Sequence, residues 1–243
     1  MLKLFYVFLL IVSLESLARS VDHYPEDGHP AASAHIVGVF EGCYGRWLPL
    51  SLQLGLDPTF SAEESKLIKD SAKIFVERAL NRRVLDCAFN NSTKNKPESR
   101  DLIEAQLYSA LSPMSVHGVF IPSFAFVARY WDDSKTVGLG YVGLYFDNDE
   151  PTASYPDRHY LHVALNSDHL GPGKSYRFSM DAEYWAGVLA HEFLHNLGYQ
   201  HTSGHAGSFI QEYGHCVSKN GVEEKTIDGE VFDREVFKDL EVD

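Results

Sequence analysis

The first half of the chain alternates between β-rich apolar runs and segments with helical periodicity. After residue 35, two apolar runs flank a turn that contains glycine, which predicts two strands. Apolar positions then recur at helical spacing behind Ser61 and Glu64, whose separation is that of a capping box. The elements predicted here are strands at 36–40 and 47–56, a helix at 61–83, a short strand at 84–89 and a helix at 101–111.

The second half predicts three more strands and one long helix. Gly138, Gly140 and Gly143 interrupt the middle strand, which is typical of a sheet edge or a bulge. The helix has Asp181 as its N-cap and an apolar face that continues to Asn196. The elements predicted here are strands at 116–131 (broken near Pro122), 137–146 and 160–166, the helix at 181–196, and a loop-rich tail at 202–243 with an acidic final segment.

This order of elements predicts an α/β (α+β) fold. Strands and helices are mixed along the chain, so we expect a twisted mixed sheet that carries helices, with a smaller C-terminal part. The chain has 243 residues, which is enough for one domain with a sizeable core. We expect this domain to occupy residues 35–243.

The first twenty residues have the layout of a secretory signal peptide. Lys3 supplies a positive start, residues 4–12 are apolar, and small residues stand at Ala18 and Ser20. The apolar run is shorter than the roughly 20 residues of a membrane span, which argues against an uncleaved anchor. We therefore predict cleavage after Ser20 and a secreted protein, with residues 21–34 as an unstructured leader or short pro-segment.

The acidic balance of the chain limits its partners. The formal net charge is −13, and such a surface repels nucleic acid and anionic membranes. We therefore predict no nucleic-acid partner and no membrane contact after removal of the signal peptide. We expect a monomer.

Three cysteines and two overlapping sequons agree with an oxidising compartment. Two of Cys43, Cys87 and Cys216 are expected to pair, and the strand pattern that begins before Cys43 favours it as a disulfide partner over a pro-segment cysteine that ligates the metal. Asn90 and Asn91 begin overlapping glycosylation sequons in a polar run that predicts an exposed loop.

The chemistry of the chain is concentrated in residues 191–201. His191 and His195 are four residues apart, so on a helix they lie on one face and can bind one metal. Glu192 flanks that face, where it can reach a water on the metal. Gly198 allows a sharp turn that returns His201 as a third ligand. Three imidazoles leave a coordination position open, which is the pattern of a catalytic Zn²⁺ site.

These residues resemble the metzincin clan of metallopeptidases, whose signature is H-E-x-x-H-x-x-G-x-x-H. All five signature positions match. The resemblance implies a two-lobed catalytic domain with one catalytic Zn²⁺, an upper lobe extending to about residue 198 and a lower lobe at 199–243. It also implies a secreted endopeptidase in which Glu192 is the general base.

One feature departs from the clan. The methionine that metzincins carry beneath the metal is absent, because Met1, Met114 and Met180 all precede the motif. The segment Ser208–Gly214 is the candidate for the corresponding turn. In its register Gln211 takes the place of the methionine, and Tyr213 matches a tyrosine that approaches the metal in several families. Two alternatives remain open, which are a Cys216 sulfur beneath the histidines and a Tyr213 that only packs in the core.

Three functions are compatible with these residues. The first is an active zinc endopeptidase that binds an extended protein or peptide substrate along the edge strand predicted at 137–146. The second is a catalytically impaired zinc-binding interaction module, which the missing methionine favours and the intact Glu192 disfavours. The third is an amidase or another hydrolase with the same zinc site.

Overall fold

The computed structural model describes residues 32–41, 47–116, 119–121, 123–130, 138–140, 145–146, 159–170, 181–201 and 207–222. The predicted signal peptide at 1–20 and most of the predicted leader lie outside these residues. So do Cys43 and the acidic segment after residue 222.

The described residues form eight strands and five helices. The strands are β1 (Ala32–Glu41), β2 (Trp47–Leu56), β3 (Met114–Val116), β4 (Val119–Ile121), β5 (Ser123–Tyr130), β6 (Gly138–Gly140), β7 (Tyr145–Phe146) and β8 (His159–Asn166). The helices are α1 (Ala62–Arg78), α2 (Arg82–Asn91), α3 (Arg100–Leu111), α4 (Ala182–Asn196) and α5 (Phe209–Ser218).

Six strands build one mixed sheet in the order β1-β2-β5-β8-β6, with β7 also paired to β8. The central strands β2, β5 and β8 are parallel, whereas β1, β6 and β7 join them in antiparallel fashion. The predicted α/β (α+β) class is therefore confirmed. In the described part of the chain β6 ends the sheet, in the region where the sequence predicts an edge.

The core lies between the inner face of this sheet and the helices α1 and α4. Leu52, Leu54 and Val127 of the sheet and Phe75 of α1 are fully buried. The ring centroids of Phe75 and Phe193 are 5.1 Å apart, so α1 packs directly on the helix that carries the histidine motif. Ser61 begins α1 with the predicted capping box, which Glu64 completes through its side chain.

The strand predicted at 84–89 is wrong, because these residues belong to helix α2. Asn81 caps this helix by accepting a hydrogen bond from the backbone of Arg83. Its buried residues follow helical spacing rather than alternation: Val84, Leu85, Cys87 and Ala88. A short apolar run buried on one side does not distinguish the two periods, so the run was compatible with either element.

The loop-rich tail also needs a correction, because it contains helix α5. Phe209, Ile210, Tyr213 and Val217 are buried, and their spacing is helical. At the other end of the chain, β1 begins at Ala32, so the last residues of the predicted leader are part of the sheet.

A disulfide joins Cys87 of α2 to Cys216 of α5 across 129 residues of sequence. The chain has three cysteines, so no cysteine of the same chain is left to pair with Cys43. The prediction that Cys43 is a disulfide partner is therefore wrong for a bond within the chain. The Cys216 sulfur is bonded to Cys87, and α5 is thereby tied to α2.

The predicted sequons do not lie in a loop. Asn90 and Asn91 are the last two residues of α2. Asn90 is exposed, whereas the half-buried Asn91 directs its amide to the Cys87 sulfur at 3.6 Å.

No helix among the described residues combines the length and apolar character needed to cross a bilayer.

Candidate metal centre

Helix α4 presents the first two histidines from the centre of the fold. Asp181 begins the helix by accepting a hydrogen bond from the Tyr184 backbone at 3.0 Å, as its N-cap position predicts. Every residue from Trp185 to Asn196 is buried. Neighbouring elements therefore enclose this part of the helix, and His191 and His195 project from it.

The turn after α4 brings the third histidine to the other two. The helix ends at Asn196, and Gly198 adopts a φ of +91°, the left-handed conformation that glycine adopts at low cost. No atom lies within 4 Å of where a Gly198 Cβ would be, so glycine is needed there for its backbone conformation and not for space. The ligand atoms of His191, His195 and His201 lie within 4.8 Å of one another.

Hydrogen bonds orient the imidazole rings. The Nδ1 of His195 lies 2.8 Å from the Tyr199 carbonyl oxygen, which can only accept, so His195 donates from Nδ1 and leaves Nε2 for a metal. The Nδ1 of His201 faces the Ser208 hydroxyl at 3.4 Å. The Nε2 atoms of His191 and His201 are 3.1 Å apart, close to the roughly 3.3 Å between two nitrogens bound tetrahedrally to one Zn²⁺.

Two side-chain hydrogen bonds from distant parts of the chain hold the segment that delivers His201. The Tyr199 hydroxyl donates to Oε1 of Gln106 on α3 at 2.5 Å. The amide of Asn95 donates to the Gln200 carbonyl at 2.8 Å. The segment is therefore anchored at Tyr199 and at Gln200, immediately before the third ligand.

Glu192 lies beside the histidines in a dry environment. Its side chain is 1 % exposed, and its Oε2 is buried with no hydrogen-bond partner among the described residues. Burial raises the pKa of Glu192 to about 8. The Gly140 backbone N–H donates to the carboxylate and lowers this pKa by a smaller amount. The arrangement supplies a carboxylate that can exchange a proton near neutral pH.

Glycines let the edge strand approach this carboxylate. A Cβ on Gly138 would lie 2.8 Å from Oε1 of Glu192. A Cβ on Gly140 would lie 2.4 Å from the Glu192 carbonyl oxygen and 2.8 Å from the His195 Cβ. The glycines that weaken this strand in the sequence therefore permit backbone contact between β6 and α4.

Helix α5 supports the histidines from the position where the sequence predicts a turn. The segment Ser208–Gly214 is not a turn, because Ser208 precedes the first residue of α5 and the helix continues to Ser218. A Cβ on Gly214 would lie 3.2 Å from the His191 Cβ. Gln211 lies three residues from both Ser208 and Gly214, on the same face of α5, and is buried.

The structure packs Tyr213 in the core. Its side chain is fully buried, and its hydroxyl donates to the Ala79 carbonyl at 2.8 Å. Burial raises the pKa of Tyr213 far above its ordinary value. This placement corresponds to the alternative in which Tyr213 only packs, so the chemistry proposed below does not use it.

The donor set fits a zinc ion. Three imidazoles converge, two of them have Nδ1 hydrogen-bond contacts that leave Nε2 toward the centre, and Glu192 lies next to them without belonging to the cluster. A structural zinc site would instead use four protein ligands. Among the described residues, this is the one group of histidine, cysteine and acidic side chains with metal-binding spacing.

The sequence does not identify Tyr199, Gln106 or Asn95 as supports of the centre. Tyr199 occupies a variable position of the motif, and Gln106 and Asn95 lie 93 and 105 residues from the groups they bond, so nothing in the local pattern identifies them. Gly140 is one of three closely spaced glycines, and this spacing is the signal in the sequence for a close approach of the strand to another backbone.

Comparison of the chain with family models, with curated proteins and with solved structures found no match in any of the three.

Proposed function

We propose that this chain is a secreted zinc-dependent endopeptidase of the metzincin type. The observation that carries the proposal is the convergence of His191, His195 and His201 within 4.8 Å, with the buried Glu192 beside them. The motif H-E-x-x-H-x-x-G-x-x-H and a mixed sheet with an edge strand next to the motif helix agree with it.

A zinc ion held by the three imidazoles would supply a Lewis acid that activates water and polarises the scissile carbonyl. In the proposed mechanism, Glu192 takes a proton from the attacking water, whose oxygen bonds to the carbonyl carbon. Glu192 then delivers the proton to the leaving amine as the C–N bond breaks. The hydrogen bond from the Gly140 N–H orients the carboxylate for both transfers.

An extended protein or peptide is the proposed substrate. Strand β6 pairs with β8 on one side and ends the sheet on the other in the described part of the chain. A peptide that adds to this edge satisfies its backbone groups and runs beside the helix that carries the histidines, because β6 contacts α4 directly.

The competing proposal is a zinc-binding interaction module without catalysis. Two observations favour it: the signature methionine is absent, and Glu192 is almost fully enclosed. The two proposals agree on the metal and differ on the role of Glu192, so a substitution at this residue separates them.

The test uses the chain purified from a secreting host. We expect stoichiometric zinc by elemental analysis and casein digestion that a chelator abolishes. Glu192→Gln should retain zinc and lose about 100-fold or more of the activity, because a positioned general base contributes that much. His201→Gln should lose zinc.

Glu183→Gln is the matched control, since it makes the same change at an exposed residue of the same helix and should leave both readouts unchanged. Zinc binding without peptidase activity in the wild-type protein would favour the interaction module. A wild-type protein that binds no zinc would contradict both proposals.

Secretion and glycosylation belong to the same proposal. Asn90 is the exposed sequon residue, whereas Asn91 is half-buried against the disulfide. We expect the secreted protein to lose mass on treatment with a peptide glycosidase, and Asn90→Gln to remove that shift. An unchanged shift in this variant would contradict the choice of Asn90.

A further inference from the structure

Two short strands, β6 and β7, form the described edge of the sheet next to the metal centre. Strand β6 pairs with β8 from Gly138 opposite Leu165 to Gly140 opposite Val163. Strand β7 resumes the pairing at Tyr145, opposite Tyr160. Among the described pairs, residues 161 and 162 of β8 lie between those made by β6 and those made by β7.

A side chain bonds to β8 between these two pairings. Oδ1 of Asn196 accepts a hydrogen bond from the His162 backbone N–H at 2.7 Å, and Nδ2 of Asn196 donates to the His162 carbonyl at 3.0 Å. A carboxamide offers a donor and an acceptor side by side, as a peptide unit of a neighbouring strand does. Asn196 therefore bonds to His162 of β8 as a neighbouring strand would.

The same residue is covalently next to a metal ligand. Asn196 is the last residue of α4 and follows His195 directly. Its side chain is 1 % exposed, so its two hydrogen bonds do not compete with solvent. The His195 ring is fixed separately through the Tyr199 carbonyl. The backbone of the second ligand is thus held by Asn196, and its ring is held by Tyr199.

We infer that Asn196 is a positioning residue of the metal centre, whose carboxamide locks the end of α4 onto His162 of β8. This inference rests on the proposed zinc site. This contact sets the position and rotation of the C-terminal end of α4 relative to the sheet. These in turn determine where the His195 nitrogen lies relative to the nitrogens of His191 and His201. Asn196 is not one of the three clustered ligands.

The chemistry of the lock identifies the informative substitution. Asn196→Asp has the same shape and retains an acceptor for the His162 N–H, but it places a carboxylate oxygen against the His162 carbonyl. The hydrogen bond to the His162 carbonyl is therefore lost, and the two oxygens repel each other. Asn196→Ala removes both bonds without adding charge.

The matched control is Asn166→Asp. Asn166 is fully buried on the same strand, and its Oδ1 accepts from the Asp168 backbone at 3.0 Å. It lies four residues along β8 from His162, which is about 13 Å in an extended strand. The control makes the same chemical change in the same sheet, away from the end of α4.

The experiment measures Zn²⁺ affinity by competition with a fluorescent chelator, together with the visible absorption spectrum of the Co²⁺-substituted protein. We expect Asn196→Asp and Asn196→Ala to bind Zn²⁺ about 10- to 100-fold more weakly than the wild type, which is the usual effect of removing an outer-sphere partner. Their Co²⁺ spectra should change in intensity or position. Asn166→Asp should keep the wild-type affinity and spectrum.

The outcomes separate this inference from the proposed function. Wild-type affinity and spectrum in both Asn196 variants would overturn the inference while leaving the zinc site intact. If both Asn196 variants fail to fold while Asn166→Asp folds, the hydrogen bonds of Asn196 serve the fold alone, and the inference is also overturned. A wild-type protein that binds neither Zn²⁺ nor Co²⁺ would contradict the proposed function itself.

Discussion

Gly187 of α4 and Gly214 of α5 bring the two helices into backbone contact one turn before His191. A Cβ on Gly187 would lie 2.6 Å from the Gly214 carbonyl oxygen, and a Cβ on Gly214 would lie 2.8 Å from the Gly187 carbonyl oxygen. Both obstacles are backbone atoms, which cannot rotate away. This contact between the two helices sets how closely α5 approaches His191.

Gly187→Ala should therefore destabilise the protein, although helix propensity alone predicts the opposite. Alanine is favoured over glycine inside a helix by about 1 kcal/mol. Forcing a methyl group into a closed contact costs about 1–3 kcal/mol. Because the obstacle is a backbone oxygen, we place the steric cost in the upper part of this range, which leaves a net loss of about 1–2 kcal/mol in the free energy of unfolding, measured by urea denaturation. Glu77→Ala, at an exposed position of α1, is the control and should change it by less than about 0.5 kcal/mol. A more stable Gly187→Ala would show that the helices are further apart than described.

Gly140→Ala should disturb the edge strand more than Gly138→Ala. The Cβ at 140 meets the Glu192 backbone oxygen at 2.4 Å, whereas the Cβ at 138 meets side-chain atoms, of which the nearest is Oε1 of Glu192 at 2.8 Å. We expect a loss of about 2–3 kcal/mol in the free energy of unfolding for the first change and about 1 kcal/mol for the second. Urea denaturation of the two variants side by side checks the order, and equal losses would contradict it.

Removal of the disulfide should destabilise the chain strongly. The Cys87–Cys216 bond closes a loop with a sequence separation of 129, for which restriction of the unfolded chain corresponds to at most about 5 kcal/mol. We expect Cys87→Ala with Cys216→Ala to cost about 3–5 kcal/mol. Peptide mapping without reduction should find residues 87 and 216 linked. A Cys43 peptide linked to either of these cysteines in the same chain would contradict the pairing.

The stability of the metal-free protein should depend on the ionisation of His162. Burial lowers the pKa of His162 below its ordinary value near 6.5. The unfolded chain therefore takes up this proton more readily than the folded one, so the contribution to stability is complete above pH 6.5 and is lost as the pH falls below it.

His162→Gln should remove that part of the pH dependence. The measurement compares the urea midpoints of the chelator-treated wild type and variant at pH 7.5 and pH 5. Taking the difference between the two proteins cancels the effect of the other histidines. We expect the wild type to lose more stability than the variant on acidification, and parallel losses would contradict the assignment.

The sequence by itself determined the features that depend on local periodicity. Helical spacing places His191 and His195 on one face, Gly198 allows the left-handed turn that follows, and Ser61 and Asp181 cap their helices. Each of these arises within a few residues of chain, where backbone geometry alone relates one side chain to the next. The same periodicity predicted most of the strands and the mixed α/β class.

Only the tertiary structure decided the contacts between distant segments. The hydrogen bond from Tyr199 to Gln106 joins residues 93 apart, the one from Asn196 to His162 joins residues 34 apart, and the disulfide spans 129. Residues 84–89 became a helix and Tyr213 packed in the core because burial on a neighbouring surface selected one of two locally permitted arrangements. Local pattern carries no information about which distant surface a residue meets, so the ligands could be read from the sequence and the groups that hold them could not.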